Sequence, residues 1–181
     1  MKALTIMERP EDTIIYASGD AAIVYAFSVE NHDIVDVWGH SENITAMDCV
    51  SFEDGGTAFA FGSVSGKIHL RYICILQVHS LLHLTRFDWE EYPRVFECGK
   101  QILDLKFSHD AGYLVSVSEN SVLHIFTLIN NSYFQNVPKK IAFDNECPIS
   151  VNFSDDNKIL IVGTSHRNHY TGKLPFHINK F

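Results

Sequence analysis

The residue types that can do chemistry are plentiful in this 181-residue chain, but their spacing assembles no reactive set. Ten histidines invite a metal-site reading, and the closest pairs are His79 with His83 and His166 with His169. A separation of four keeps two side chains on one face of a helix or a strand, while a separation of three fails to do so on a strand. Neither pair has a third Cys, Asp or Glu at a recognised zinc-motif spacing, so the ligand set is incomplete and no metal is expected. The adjacent carboxylates Asp155-Asp156 and Glu90-Glu91 fall in a surface turn and a solvated link. Catalytic pairs need surroundings that drive two pKa values apart, which those places do not offer. Gly62-Ser63-Val64-Ser65-Gly66 sets two hydroxyls between glycines, yet its serines suit turn geometry. No nucleophile elbow, phosphate loop or dinucleotide fingerprint occurs. No catalytic residue and no cofactor is expected.

Composition narrows the class further. Apolar residues make up 46% of the chain and charged residues 20%, which suits one folded domain over residues 1–181 rather than a disordered chain. A formal charge of −8 argues against non-specific nucleic-acid binding, which needs clustered Lys and Arg. Cys49, Cys74, Cys98 and Cys147 form no CxxC pair, and three lie in or beside apolar strand patterns, where free Cys acts as a small hydrophobe. The start, Met1 to Pro10, is too quickly charged for a secretory signal. No apolar run approaches the roughly 20 residues of a membrane helix. The expectation is a cytoplasmic protein, with cytoskeletal or nuclear settings included, that touches no membrane.

The elements that would position any site recur along the chain. Ile14 to Tyr25, Ala58 to Leu70 and Tyr113 to Phe126 each read as an apolar strand, a small-residue turn and an alternating strand. A fourth copy begins at Lys158 to Thr164. Aligning Ser18, Ser63, Ser118 and Thr164 gives spacings of 45, 55 and 46 residues. Ile44 to Phe52, Ile102 to Phe107 and Ile149 to Phe153 precede turns of Ser, Asp, Asn and Gly. In Ile102 to Phe107 a period of two sends Leu105 toward a core while Asp104 and Lys106 face outward. No stretch keeps helical apolar spacing, so the class is all-β. A period in the forties built from short strands points to a β-propeller segment, with units at roughly 12–52, 53–107, 108–153 and 154–181 and an insertion at 73–100.

Gly39-His40, Ser108 to Leu114 and Ser154 to Leu160 resemble, respectively, the Gly-His dipeptide and the strand-connecting turn of the WD-repeat family. The resemblance runs from about residue 12 to 165. It departs from the family where Ala26-Phe27, Arg71-Tyr72 and Phe126-Thr127 stand in the place of Trp-Asp, and only Asp20 keeps the aspartate of the tight turn. The resemblance implies structural roles for Gly39, His40 and Asp20, with His40 making a hydrogen bond within its unit. His69 and His124 fall in equivalent polar slots and read as strand-surface residues. Residues 56–73 are similar to one unit of the spindle-checkpoint and mRNA-export propellers, while Lys106 to Asp110 also resembles microtubule- and cilium-associated ones.

Three full units and a partial fourth, about three and a half to four blades, fall short of closing a ring, so an open or incomplete ring is expected. Completion by another chain or a second copy follows, since open strand edges invite association. A terminal strand near Leu174 to Ile178 is a candidate to complete the first unit across the closure. The insertion carries Phe87, Trp89, Tyr92 and Arg94, residue types enriched at binding hot spots. They are either a partner-binding loop or a cover for the edge of the core. The function expected is a non-enzymatic scaffold for protein partners. An enzyme on a propeller support is the alternative from a different class.

Overall fold

Short stretches in which apolar and polar residues alternate become strands, because a pleated backbone sends successive side chains to opposite faces. The computed structural model describes residues 2–8, 12–52, 56–73, 94–129, 133–134, 137–165, 169–173 and 177–180. Among them there is no helix, so none is long and apolar enough to cross a membrane. The first sheet contains β1 (Ala3–Glu8), β2 (Thr13–Ser18), β3 (Ile23–Ser28) and β4 (Asp33–Gly39), paired in that order. The second contains β5 (Ile44–Ser51), β6 (Thr57–Ser63), β7 (Lys67–Ile73) and β8 (Arg94–Glu97). In the third, β9 (Ile102–Phe107), β10 (Tyr113–Ser118) and β11 (Val122–Ile129) are flanked by β12 (Tyr133–Phe134) and β13 (Lys139–Ala142), both pairing β11. The fourth runs β14 (Pro148–Phe153), β15 (Ile159–Thr164), β16 (His169–Lys173) and β17 (His177–Lys180). Every pairing is antiparallel, so the protein is all-β and built of four antiparallel meanders.

The sheets end at Gly39, Glu97 and Ala142, not at the repeat boundaries of 52, 107 and 153. Each of the first three sequence units therefore spans two sheets, taking the first strand of the next one, while the strands of the fourth unit all belong to the fourth sheet. The first sheet is completed by β1 from the chain's own start, and β17 stays paired to β16 in the fourth. The expected closure of the first unit by a terminal strand is thus replaced by N-terminal pairing.

The sheets stack in chain order through their first strands, β1 on β5, β5 on β9 and β9 on β14. Three seams form the core. Tyr16, Ile44, Met47 and Phe59 fill the first, Ala60, Ile68, Ile102 and Phe126 the second, and Val117, Leu123, Val151 and Leu160 the third. In the first seam the Tyr16 ring meets Phe59 edge-on at 4.7 Å, a geometry worth about 0.5–1.5 kcal/mol beyond the area it buries. The two inner sheets are covered on both faces, so β6 is buried at all seven positions. The two outer sheets are covered on one face, so β3 and β15 alternate between buried and less buried residues.

The stacking sense is constant. In the second strand of each inner sheet, one set of alternate residues points forward, Ala58 and Ala60 to the third sheet and Val115 and Val117 to the fourth. The complementary set points back, Phe59 and Phe61 to the first sheet and Leu114 to the second. The first sheet obeys the same rule only if its alignment is moved by one residue. Val64, Glu119 and Ser165 donate their amides to the strand before them, to Asn43 O at 3.1 Å, Gln101 O at 2.9 Å and Cys147 O at 2.9 Å. In the first sheet it is Ser18 whose carbonyl bonds that strand, accepting from Lys2 N at 2.8 Å. Ala17, not Ser18, therefore corresponds to Ser63, Ser118 and Thr164. Because a one-residue slip reverses every side chain's face, Ser18 points into the first seam.

Candidate functional site

The polar residues gather where β4 passes into β5. Gly39 ends β4, and His40 N donates to Ala22 O at 2.7 Å. His40 Nδ1 lies 3.2 Å from the Glu42 amide and 3.1 Å from the Glu42 carbonyl oxygen, and burial pushes the imidazole pKa down. The His69 ring meets His40 edge-on at 4.4 Å. Its pKa is pushed down to about 4, by burial first and by His40 second. Glu42 accepts from the Ser65 hydroxyl and from Lys67 Nζ at 3.2 Å, and Ser63 Oγ and Ser65 Oγ lie 3.1 Å apart. The two serines and Lys67 hold the Glu42 carboxyl down at about 2.

This cluster ties the β4–β5 link to the β6–β7 turn. Its groups are poorly poised for catalysis at neutral pH. Glu42 is too acidic for a general base, and His69 resists protonation. Ser63 Oγ takes the Lys67 amide at 3.2 Å, so its hydroxyl serves the turn rather than an imidazole.

Other predicted positions fall as follows. Asp20 is an exposed turn residue paired with Lys2 Nζ at 2.5 Å, while the Ser18 hydroxyl donates to Ile23 O at 2.8 Å. Arg94 opens β8, exposed and opposite Leu70. Phe87, Trp89, Tyr92, Glu90, Glu91, Cys74, His79, His83 and His166 lie outside the described residues, as does the His169 side chain. Among the described residues no group of three metal-ligating side chains converges. Cys98 is buried, which pushes its thiol up to about 11 and makes it an inert packing group. The two turns aligned by sequence share one geometry. Ser108 Oγ donates to Asp110 at 2.6 Å and Ser154 Oγ to Asp156 at 2.7 Å, and Ala111 and Asn157 take the positive φ in matching places. Asp156 is thus a turn-former, not half of a reactive pair.

Two expectations about facing are corrected. His124 is buried at 1% exposure, not on the strand surface, because the third sheet is covered on both faces. Asp104 turns into the third seam, where its Oδ2 accepts the Val151 amide at 2.9 Å and burial raises its pKa. The period of two holds from Asp104 to Phe107, but the face opposite Leu105 is covered by the fourth sheet and not by solvent.

Sequence reasoning missed Asp48, which ties three sheets together. Thr5 Oγ1 of β1 donates to it at 3.1 Å, and from β9 come Lys106 Nζ at 3.0 Å and the Phe107 amide at 2.9 Å. The available signal was an acidic residue in an otherwise apolar run, Ala46 to Val50.

The outward face of the first sheet is the other missed feature. Leu4, Ala17, Tyr25 and Val37 form one cross-strand row, and Ile6, Ile15, Phe27 and Ile34 the next. Leu4 is 42% exposed, and Tyr25, Phe27, Ile34 and Val37 are exposed as well. At the far end of the stack, Ile149, Ile159 and Ile161 are exposed on the fourth sheet. Contiguous exposed apolar surface of this kind marks interaction sites. The chain matches no protein-family model, and no curated protein matches it.

Proposed function

We propose that the chain is a non-enzymatic scaffold, a divergent WD-repeat-like propeller segment in which each antiparallel sheet is one blade and the ring stays open. The reading is supported by four meanders stacked in one sense through their first strands, as blades stack around an axis. The observation that carries the function is the pair of exposed apolar faces at the two ends of the stack, beside a polar cluster built for stapling rather than turnover. Its partners are proteins met in the cytoplasm, engaged through those faces and through the segment that ends at Arg94. No nucleic acid, membrane or cofactor enters this reading.

Affinity purification of the tagged chain tests it, with W89A/R94A run beside the wild type. The wild type is expected to retain protein partners above an unrelated all-β control, and the double variant to lose at least one of them. Retention no better than the control rejects the scaffold. Retention unchanged in the double variant removes the insertion as an interface.

A further inference from the structure

Each sheet ends in an outer strand, and an outer strand offers its free amides and carbonyls as a template for another chain's strand. Among the described residues, β8, β13 and β17 are four residues each. Charge marks two of them, Arg94 and Glu97 on β8 and Lys139 and Lys140 on β13. Short, charged edges are poor templates. β4 is different. It runs seven residues, from Asp33 to Gly39, and exposes Ile34, Val35 and Val37, β-branched residues that favour strands.

The outward amides of β4 are nonetheless occupied. His40 N donates back to Ala22 O, so by the alternation of an antiparallel pair Val37 turns its amide away from β3. Val35 is the extra residue where the pairing slips, with Asp36 opposite Ala26 and Ile34 opposite Phe27, and that insertion turns the Ile34 amide outward too. Each of these two amides donates to the carboxylate of the residue before it, Ile34 N to Asp33 Oδ1 at 2.7 Å and Val37 N to Asp36 Oδ1 at 2.8 Å. The same device recurs on β9 and β14, the inner edges of their sheets. Leu105 N donates to Asp104 Oδ1 and Phe153 N to Asn152 Oδ1, both at 2.9 Å. Phe107 N and Val151 N donate instead to Asp48 and Asp104 of the preceding sheet.

We propose that Asp33 and Asp36 hold β4 shut against strand addition by another copy of the chain. A strand that adds to a sheet edge draws its affinity from main-chain hydrogen bonds, and its carbonyls need the outward amides. A carboxylate on each amide takes up the donor and sets a negative charge where the incoming carbonyl oxygen would arrive. Both bonds lie at the surface and join adjacent residues, so they add nothing to the pairing of β4 with β3. They act on what β4 meets rather than on how it folds. The inference stands apart from the scaffold reading, which uses the faces of the sheets and not their edges.

Light scattering and thioflavin fluorescence of the full chain, over a concentration series, test this. D33A/D36A is expected to keep the wild-type circular dichroism when dilute and to assemble on concentration, with about tenfold more fluorescence than the wild type. Should the double variant fail to fold, Asp36→Ala alone replaces it. D33N/D36N is expected to match the wild type, because an asparagine oxygen can still accept the next amide, as Asn152 does for Phe153. Val37→Pro added to D33A/D36A deletes a donor that β3 does not use, and is expected to return fluorescence to the wild-type level. Should that variant fail to fold, amide exchange replaces it, with Ile34 and Val37 expected to be protected in the D33A/D36A assembly. An alanine variant that behaves like the wild type overturns the inference. Assembly of D33N/D36N does so as well, since lost charge and not the uncapped amide would then be the cause. Assembly that survives Val37→Pro, or that leaves the Ile34 and Val37 amides unprotected, puts the contact elsewhere and is equally fatal.

Discussion

Ile102 occupies the space that a side chain at position 62 would fill: the Cβ direction of Gly62 ends 2.5 Å from Ile102 Cγ2 and 2.7 Å from its Cβ. The second and third sheets thus approach each other through the absence of one methyl group, and Leu105 closes the same spot at 3.1 Å. Gly62→Ala is expected to lower the unfolding free energy by about 1–3 kcal/mol, the usual cost of overpacking a core. Gly19→Ala, where a Cβ meets nothing within 4 Å, is the control and should stay within about 0.5 kcal/mol of wild type. Urea denaturation of the two variants settles the comparison, and equal midpoints would show that the seam can spread without cost.

The tight turns before β3, β7 and β11 ask for a left-handed residue. Gly66 supplies it at φ +85°, while Ala22 and Ser121 adopt φ of 52° and 61° in the matching places. An L-residue there costs about 1–2 kcal/mol, part of which glycine gives back through unfolded-state entropy. Ala22→Gly should therefore stabilise the protein by about 0.5–1 kcal/mol in a denaturant titration. A destabilised variant would mean that the Ala22 methyl packs usefully in the turn.

Asp48 and Lys106 are bonded to each other but should not be equally costly to lose. Removing the carboxylate with Asp48→Ala leaves the buried Phe107 amide without its acceptor, a loss of about 1–3 kcal/mol. Lys106 keeps 35% of its side chain in solvent, so Lys106→Met should cost about 0–1 kcal/mol. Thermal unfolding of the two single variants checks the asymmetry, and a larger loss from Lys106→Met would refute it.

His124 makes stability depend on pH in a defined direction. Burial, with Lys140 as a second cause, pushes its pKa down to about 4 from 6.5. Between those values the unfolded chain binds a proton that the native state refuses, so stability is full above about pH 6.5 and falls as pH drops toward 4. His69 acts in the same direction and window. Glu42, held near 2, loses its contribution only below about 4.5, which separates the effects. Urea midpoints at about pH 7 and about pH 5 should differ less for His124→Gln than for wild type. An unchanged difference would clear His124 of the role.

The strand and turn framework was legible because the chemistry that makes it is local. The turns at Ser108 and Ser154 carry their own hydroxyl–carboxylate bond, and the alternation around Leu105 needs only a pleat. What failed to show was set by neighbours distant in sequence. His124 reads as polar in a polar slot, yet a sheet on either side buries it. Asp104 alternates with Leu105 as the pleat requires, and what hides it is the fourth sheet packed on that face. The false match of Ser18 to Ser63 came from two serines before similar turns. Ala17 restores spacings of 46, 55 and 46, but the hydrogen bond from Lys2 is what distinguishes the two alignments. The edge strands β8 and β13 were missed because largely exposed strands carry little apolar alternation. Within the candidate site, Gly39-His40 stood out by resemblance, whereas its partner His69 arrives from β7 through pairing alone.

Each sheet is made from one continuous stretch of chain, and each seam joins only sheets adjacent in that order. Such an array behaves like a short row of coupled units, each stability a sum of its own and its nearest neighbours' terms. The inner two sheets have two neighbours and the outer two have one, so opening should start at the ends and travel inward. Leu4 and Ile161 then sit on the units least restrained by the rest of the chain. A partner covering them would act as a terminal clamp, raising the cost of opening for sheets it never touches.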